Sequence, residues 1–139
     1  MSHIFSGRLL GGVAVSHDTL THVNLTTLEV NAAWWNAAAH RLDIPAGYNL
    51  IQVQAAGFWE YCLAGTVRRV TVQAQALLTE RADNRVQVPN EIFLTTSEVG
   101  GVLYNPTLAP LSLDLGFYHD AGTPLQVFEA ALFVRCSVE

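Results

Sequence analysis

The sequence has no lysine, and it has few charged residues of any kind. All seven of its basic residues are arginine, and only 14% of its 139 residues are charged, whereas an ordinary globular domain has about a quarter. The formal net charge of −5 opposes binding to a nucleic-acid backbone, because that binding depends on clustered cations. We therefore expect no nucleic-acid partner.

Cysteines and long apolar runs are also scarce. Cys62 and Cys136 are too few for a disulfide framework, and each lies in an apolar segment that suits a buried free thiol. A bridge between the two stays open, because the sequence does not supply the geometry. No run approaches the roughly 20 apolar residues of a membrane span, and Gly11 and Gly12 interrupt the only stretch that resembles a signal peptide. We expect a soluble protein made in the cytoplasm, without membrane insertion.

Recognisable catalytic motifs are missing. There is no nucleophile elbow, no Gly-rich phosphate loop and no metalloprotease helix motif, and the acidic residues are scattered singly. His17, Asp18 and His22 lie close together in sequence, which leaves open an acid–base or metal-dependent enzyme, or a metal shared between chains on an oligomer axis. Ordinary loop histidines are the simpler explanation. We expect no catalytic residue, no cofactor and no metal.

Apolar residues, in contrast, are abundant. Half of the residues are hydrophobic, more than the interior of one small domain readily accommodates. We infer that part of this surface is buried between subunits, as it is in obligate oligomers. A well-packed monomer with Ala- and Thr-rich strands is the alternative.

The strand pattern is clearest between Ile44 and Ala76. From Asn49 to Glu60, alternate residues are apolar while Gln52 and Gln54 take the other parity, and a second alternation runs to Ala76. This period of two places one set of side chains in a core and the other outside.

The rest of the chain adds further short strands separated by turn signals, without a long amphipathic helix. We expect a charged, exposed connection from Leu77 to Pro89, and a strand from Ile92 to Ser97 that Gly100 and Gly101 interrupt. About eight strands predict an all-β fold, an antiparallel β-sandwich of the jelly-roll type. We divide the chain into an N-terminal arm, 1–12, outside the strand pattern, and a single domain, 13–139.

Aromatic residues are the candidates for ligand binding. Exposed Trp and Tyr rings stack on sugars or anchor a protein partner, and Trp34, Trp35 and Tyr104 are possible ligand-binding residues. Packing in the core or between subunits is the alternative, and an extended backbone puts at most one of the adjacent tryptophans inside. Trp59 shares the inward parity and is expected in the core.

Two segments resemble short jelly-roll domains of bacteriophage virion proteins. The turn Pro45 to Tyr48 opens a long strand and the run from Gly65 to Arg69 opens the next, as in that family. The closing segment from Pro110 to Val127 is similar as well, so the resemblance covers roughly His40 to Val138. It implies a fold like that of the trimeric complement-type and tumour necrosis factor-type jelly rolls, a homotrimer about a threefold axis, and no cofactor or catalytic residue.

This resemblance implies a virion component assembled in the host cytoplasm. Family members at fibre tips usually follow a long shaft, and we find no shaft in this sequence. We therefore expect a capsid decoration protein that binds the major capsid protein and stabilises the shell. Several apolar residues outside the strand pattern are the candidate capsid contacts: Ile4, Phe5, Leu9 and Leu10. The alternative is a receptor- or carbohydrate-binding tip of a tail or head fibre, with a host surface glycan or receptor as its partner.

Overall fold

A computed structural model describes residues 2–60, 67–74, 81–87 and 95–139, with the backbone alone for 81–87 and 95. The described part contains eleven strands and one short 3-10 helix, Ala32–Trp34. The strands are β1 (Ser2–Val15), β2 (Thr21–His22), β3 (Thr27–Val30), β4 (Trp35–Asn36), β5 (Arg41–Ile44), β6 (Leu50–Trp59), β7 (Val67–Ala74), β8 (Arg81–Gln87), β9 (Thr95–Tyr104), β10 (Leu111–His119) and β11 (Leu125–Ser137).

These strands form two antiparallel sheets that pack face to face. The five-stranded sheet has the order β3-β1-β11-β6-β9, and the six-stranded sheet has the order β4-β5-β10-β7-β8 with β2 paired to β10. Every pairing between described strands is antiparallel. The predicted all-β antiparallel sandwich is thereby confirmed.

The alternation predicted for the central strands is what divides the two faces of each sheet. In β6 the side chains of Ile51, Val53 and Trp59 are buried, while Gln52 and Gln54 are exposed. Strand β7 lies in the other sheet, so the apolar sides of β6 and β7 face each other across the core. Such burial of apolar area is the main stabilising contribution in a sandwich of this size.

Trp59 is the largest side chain that is fully buried. Its ring meets the ring of Phe117 on β10 edge to face, with the centroids 5.7 Å apart, and its Nε1–H donates to Oγ of Ser97 on β9 over 2.9 Å. Because a buried indole N–H needs an acceptor, this bond allows the tryptophan to fill the centre of the sandwich.

The N-terminal segment does not lie outside the strand pattern, as the sequence had suggested. Ser2–Val15 is a long strand, β1, between β11 and β3 in the five-stranded sheet. Its pairing partners lie more than 100 residues further along the chain for β11, so no local pattern reveals them. The residues of the expected arm are thus part of the sandwich.

Two further expectations are corrected. Part of the connection predicted between Leu77 and Pro89 is strand β8, which pairs with β7; its other residues lie outside the described ones. The strand predicted to stop at Gly100 and Gly101 continues through them, because both pair with β6 in unbroken register. The backbone can form the ladder there even though neither residue has a side chain to pack.

We predict that Gly57→Ala destabilises the fold. A methyl group at residue 57 would lie 2.5 Å from Cζ of Phe117, and overpacking of this kind costs about 1–3 kcal/mol. Urea denaturation measures the change in the free energy of unfolding.

Gly100→Ala is the matched control. Its added methyl group would meet nothing closer than 3.9 Å, so we expect a change within about 0.5 kcal/mol. Equal destabilisation by both substitutions would contradict the close approach of Phe117 to Gly57.

Candidate functional site

The most distinctive surface is the solvent side of the five-stranded sheet, which we call the outer face. It consists of the side chains whose parity turns them away from the core. These residues are exposed or half-buried: Ile4, Ser6, Arg8 and Leu10 of β1; Gln52, Gln54, Ala56 and Phe58 of β6; Glu98, Gly100 and Val102 of β9; and Glu129, Ala131, Phe133 and Arg135 of β11.

The outer face is grooved. A groove of about 680 Å³ runs over Ser6, Ala56 and Ala131, and a second of about 580 Å³ runs past Ile4 and Val102. Phe133 lines both grooves. The grooves form because the small residues Ala56, Gly100 and Ala131 lie beside larger ones such as Phe133. A surface of this shape accepts a protein side chain or strand.

Four of the ten large hydrophobic residues that are exposed in the described structure lie on this face: Ile4, Leu10, Val102 and Phe133. Among its large side chains, Leu10 is 46% exposed, Val102 57% and Phe133 39%. Polar side chains such as Gln54 and Arg135 alternate with them across the strands, so the face combines apolar and polar groups, as interaction surfaces between proteins do. The excess of hydrophobic residues in the composition is therefore accounted for in part by this face.

Charges of both signs accompany the apolar residues. Nε of Arg8 donates to Oε1 of Glu29 on β3 over 3.0 Å, and both side chains are well exposed, so the pair stabilises the monomer little. Arg135, Glu98 and Glu129 also lie on this face. A surface that carries both signs offers complementary partners to another copy of itself.

The four candidate capsid contacts divide between the two sides of β1. Phe5 is fully buried and Leu9 is 7% exposed, so neither is available to a partner; this part of the prediction is corrected. Ile4 and Leu10 take the other parity and belong to the outer face. Those two side chains are accessible to a partner, and the structure does not test whether that partner is a capsid.

Trp35 is also withdrawn as a candidate ligand-binding residue. It is buried, its ring stacks on Phe5 with the centroids 6.1 Å apart, and its Nε1–H donates to Oδ1 of Asn24 over 2.8 Å. The expectation that at most one of the adjacent tryptophans lies inside agrees with this, since Trp34 is only half-buried.

Trp34 and Tyr104 remain accessible. The Trp34 ring lies 6.1 Å from the ring of Tyr48, and Tyr104 is 53% exposed opposite Leu50 in the sheet. Tyr48 and Leu50 are close neighbours in the chain, so the two aromatic rings are at the same end of the sandwich. A ligand role for them stays a prediction.

Of the residues that suggested enzyme chemistry, His17 and Asp18 lie beyond the other end of β6, whereas His22 is exposed on β2, opposite Gly116. His17 and Asp18 belong to what we call the end cluster, together with Tyr118, His119 and Asp120. Tyr118 donates its hydroxyl proton to Oδ1 of Asp18, and Nδ1 of His17 accepts from the backbone N–H of Gly122 over 2.9 Å. These bonds hold loops together. Among the described residues, no group of three or more His, Cys, Asp or Glu side chains is placed to hold a metal ion.

His119 is the member of this cluster that the sequence reading missed. It is fully buried, with Nε2 2.6 Å from the carbonyl oxygen of Val15. Burial lowers the pKa of His119, and the nearby Arg68 and His17 act in the same direction, against the carbonyl of Val15 and the carboxylate of Asp120. The signal was present in the sequence, because His119 continues the inward parity of Phe117.

A second polar cluster joins β4, β5 and β10. The carboxylate of Asp43 accepts hydrogen bonds from Ser112 over 2.7 Å, from Arg41 over 2.9 Å and from Asn36 over 3.2 Å. Burial opposes the charged form, but these bonds, led by the one from Ser112, outweigh it and lower the pKa of Asp43. The donors lie on β4, β5 and β10, and their bonds to Asp43 link these strands. The cluster therefore stabilises the sheet.

Cys136 is a buried free thiol on β11. Burial raises its pKa to about 12, so the reactive thiolate is scarce at neutral pH. Cys62 lies outside the described residues. Gln52 and Gln54 belong to the outer face.

Among the described residues, no helix is long and apolar enough to cross a membrane.

Comparison with known proteins bears on the fold. No protein family and no curated protein matches the sequence. The globular domain of zebrafish complement 1qA protein has a similar structure, with a TM-score of 0.65 at 8% identity over 100% of this chain and 98% of that chain. PRD1 vertex protein P5 is similar over 100% of this chain and 74% of that chain, with a TM-score of 0.62 at 10% identity. The chain is therefore a jelly-roll sandwich protein, as predicted.

We predict that Trp35→Ala destabilises the protein by about 3–5 kcal/mol, because it removes a large buried ring. Trp34→Ala removes a half-exposed ring and should cost about 1–2 kcal/mol. Thermal or urea unfolding of both variants measures the difference. A larger loss for Trp34→Ala would contradict the placement of Trp35 in the core.

Proposed function

We propose that this protein is a non-enzymatic structural component of a phage particle. In this proposal it assembles as a homotrimer through the outer face and decorates the capsid exterior. The single observation that carries the proposal is the grooved, apolar outer face. The resemblance of the sequence to phage virion jelly rolls supports it, and so does the likeness in fold to a vertex protein.

Another copy of the chain is the occupant that best fits the outer face. The small residues Ala56, Gly100 and Ala131 let a neighbouring backbone approach closely, and Phe133 supplies a large apolar contact beside them. The cations Arg8 and Arg135 share the face with acidic side chains of β3, β9 and β11. Complementary signs on one surface fix the register of an assembly, and closed symmetry keeps it finite.

The same arrangement changes how the capsid contact is understood. Ile4 and Leu10 lie on the outer face, so a trimer built through that face buries them between copies. Capsid attachment then falls to surfaces outside the outer face. Three copies that engage the capsid together convert weak individual contacts into firm attachment.

We predict that Phe133→Arg dissociates the oligomer. An arginine in place of Phe133 would have to be buried without a partner, and we expect association to weaken by roughly a hundredfold. Light scattering should find trimer mass for the natural sequence and monomer mass for the variant.

Leu108→Arg is the control, because Leu108 is 41% exposed on the loop between β9 and β10 and lines none of the grooves of the outer face. It should remain trimeric. Monomer mass for the natural sequence, or a trimer that tolerates Phe133→Arg, would contradict assembly through the outer face.

The capsid role has its own test. Deleting the N-terminal segment would remove strand β1, so surface substitutions are needed instead. We predict that purified trimer binds undecorated capsids to saturation and raises the temperature at which they open, while the monomeric Phe133→Arg variant binds at least roughly tenfold more weakly because it loses multivalency. Absence of binding by the intact trimer would contradict the decoration role.

The alternative is a carbohydrate- or receptor-binding tip of a fibre. The observation that favours it is the pair of accessible rings, Trp34 and Tyr104, at one end of the sandwich. A glycan array on the purified protein separates the two roles. Specific binding that is lost in Trp34→Ala but kept in a folded control such as Phe128→Arg would favour the tip.

A further inference from the structure

We propose that the end cluster around His119 is an acid-sensitive latch. Protonation of His119 would release the loop after β1 and the turn between β10 and β11 while the two sheets stay packed. This inference is independent of the proposed function, since it concerns an end of the sandwich away from the grooves of the outer face.

The hydrogen bonds of His119 determine its protonation state. Nε2 lies 2.6 Å from the carbonyl oxygen of Val15, which only accepts, so this nitrogen carries the proton. Nδ1 receives the backbone N–H of Ala121 over 3.1 Å, so it must have a free lone pair. Both neighbours are backbone groups that cannot exchange donor and acceptor roles. The latch is therefore closed only when the imidazole is neutral.

A second proton on the ring would open the latch. The proton would enter between Nδ1 and the N–H of Ala121, so two donors would face each other and that bond would be lost. The ring would also become a buried cation, which is unfavourable without a partner. His119 is fully buried, so water does not compensate.

The charges around the ring mostly oppose protonation. Arg68 on β7 pairs with His119 in the sheet, and its Cζ lies 5.9 Å from the ring centroid of Trp59. The ring of His119 lies 5.6 Å from that same Trp59 ring, so a protonated His119 would place two cations against one indole. His17 is a third basic group, with its ring 6.3 Å away.

The acidic groups nearby are engaged elsewhere. Oδ1 of Asp120 accepts the backbone N–H of Val67 over 2.8 Å, and the charge of Asp120 favours a charged His119. Asp18 accepts the hydroxyl proton of Tyr118 and lies 3.7 Å from Nε2 of His17. Neither carboxylate forms a described hydrogen bond with the ring of His119.

Opening would be local because the residues that follow Val15 and Ala121 are exposed, although Val15 and Ala121 themselves are buried. The backbone N–H of Asp18 donates to the carbonyl oxygen of His119 over 2.9 Å, and Gly122 donates to His17. His17, Asp18 and Gly122 are themselves solvent-exposed. Segments with little buried apolar area separate from a core without unfolding it.

The direction of the pH dependence follows because the latch is closed only when the imidazole of His119 is neutral. Folding lowers the pKa of His119 below its ordinary value of 6.5, so the open form takes up a proton first as the pH falls. The closed latch is fully stable above pH 6.5 and weakens as the pH falls from there toward the folded-state pKa. One linked proton changes the opening equilibrium about tenfold per pH unit in that interval.

Hydrogen exchange of backbone amides between pH 7.5 and 5.5 tests the latch. After correction for intrinsic exchange, we expect the protection of Ala121, whose N–H is bound by His119, to fall by about tenfold per pH unit below the ordinary histidine pKa. Amides in the middle of β6 should not change. Constant protection at Ala121, or an equal loss in β6, would overturn the proposal.

Two variants and one titration identify the group responsible. His119→Gln keeps an N–H donor near Val15 but does not titrate, so protection should become independent of pH. His22→Gln, on exposed β2, is the control and should behave like the natural sequence; if it abolished the dependence, His119 would not be the titrating group. If His119→Gln fails to fold, NMR titration of the His119 ring decides the matter. A ring pKa below 6.5 supports the latch, and a value at or above it overturns the proposal.

Discussion

The packing of Trp59 between the two sheets is the interaction on which the rest of the structure depends. Its ring contacts Phe117 and His119 on β10 and lies near Arg68 on β7, while its indole N–H is bound by Ser97 on β9. One residue of β6 thereby reaches three other strands and both sheets. Gly57, two residues earlier, has no side chain because Phe117 occupies that space. The filled interior leaves no room for a change of parity in β6, and this fixes which residues of the five-stranded sheet face outward.

Sequence reasoning succeeded where a local pattern carries the information. The alternation of β6 identified its buried positions correctly, because the period of two follows directly from strand geometry. It failed for β1, whose role depends on pairing with β11 at the far end of the chain. An apolar segment interrupted by Gly11 and Gly12 gives no local indication of such a partner. At Gly100 and Gly101 the opposite happened. Two adjacent glycines predicted a break in the strand, but pairing with β6 continues the strand through them.

The candidate sites illustrate the same division. Parity alone would have separated Phe5 and Leu9 from Ile4 and Leu10, had β1 been recognised as a strand. The outer face as a whole was not predictable residue by residue, because it requires knowing which four long strands lie side by side. What the sequence did indicate was its existence, through more apolar surface than one domain buries. The inward parity of His119 could be read from the sequence, but its acceptor could not, because the carbonyl of Val15 lies over a hundred residues away.

Two parts of the molecule differ in the kind of contact that they suit. The outer face combines small residues, the exposed ring of Phe133 and charges of both signs. Its chemistry suits a permanent contact with another copy. The end cluster has directional hydrogen bonds to exposed loops around one buried histidine, and its chemistry suits a contact that opens and closes. The fold itself is shared with proteins as different as a complement domain and a vertex protein, so these surfaces, and not the jelly roll, decide what the protein does.

The most direct test of the central claim is an experimental structure of the assembled protein in solution, determined by electron cryomicroscopy or crystallography of the purified oligomer. The account predicts that neighbouring copies bury the grooves around Ala131 and Phe133. An oligomer in which those grooves stay open to solvent, with its copies joined through another surface, would contradict it.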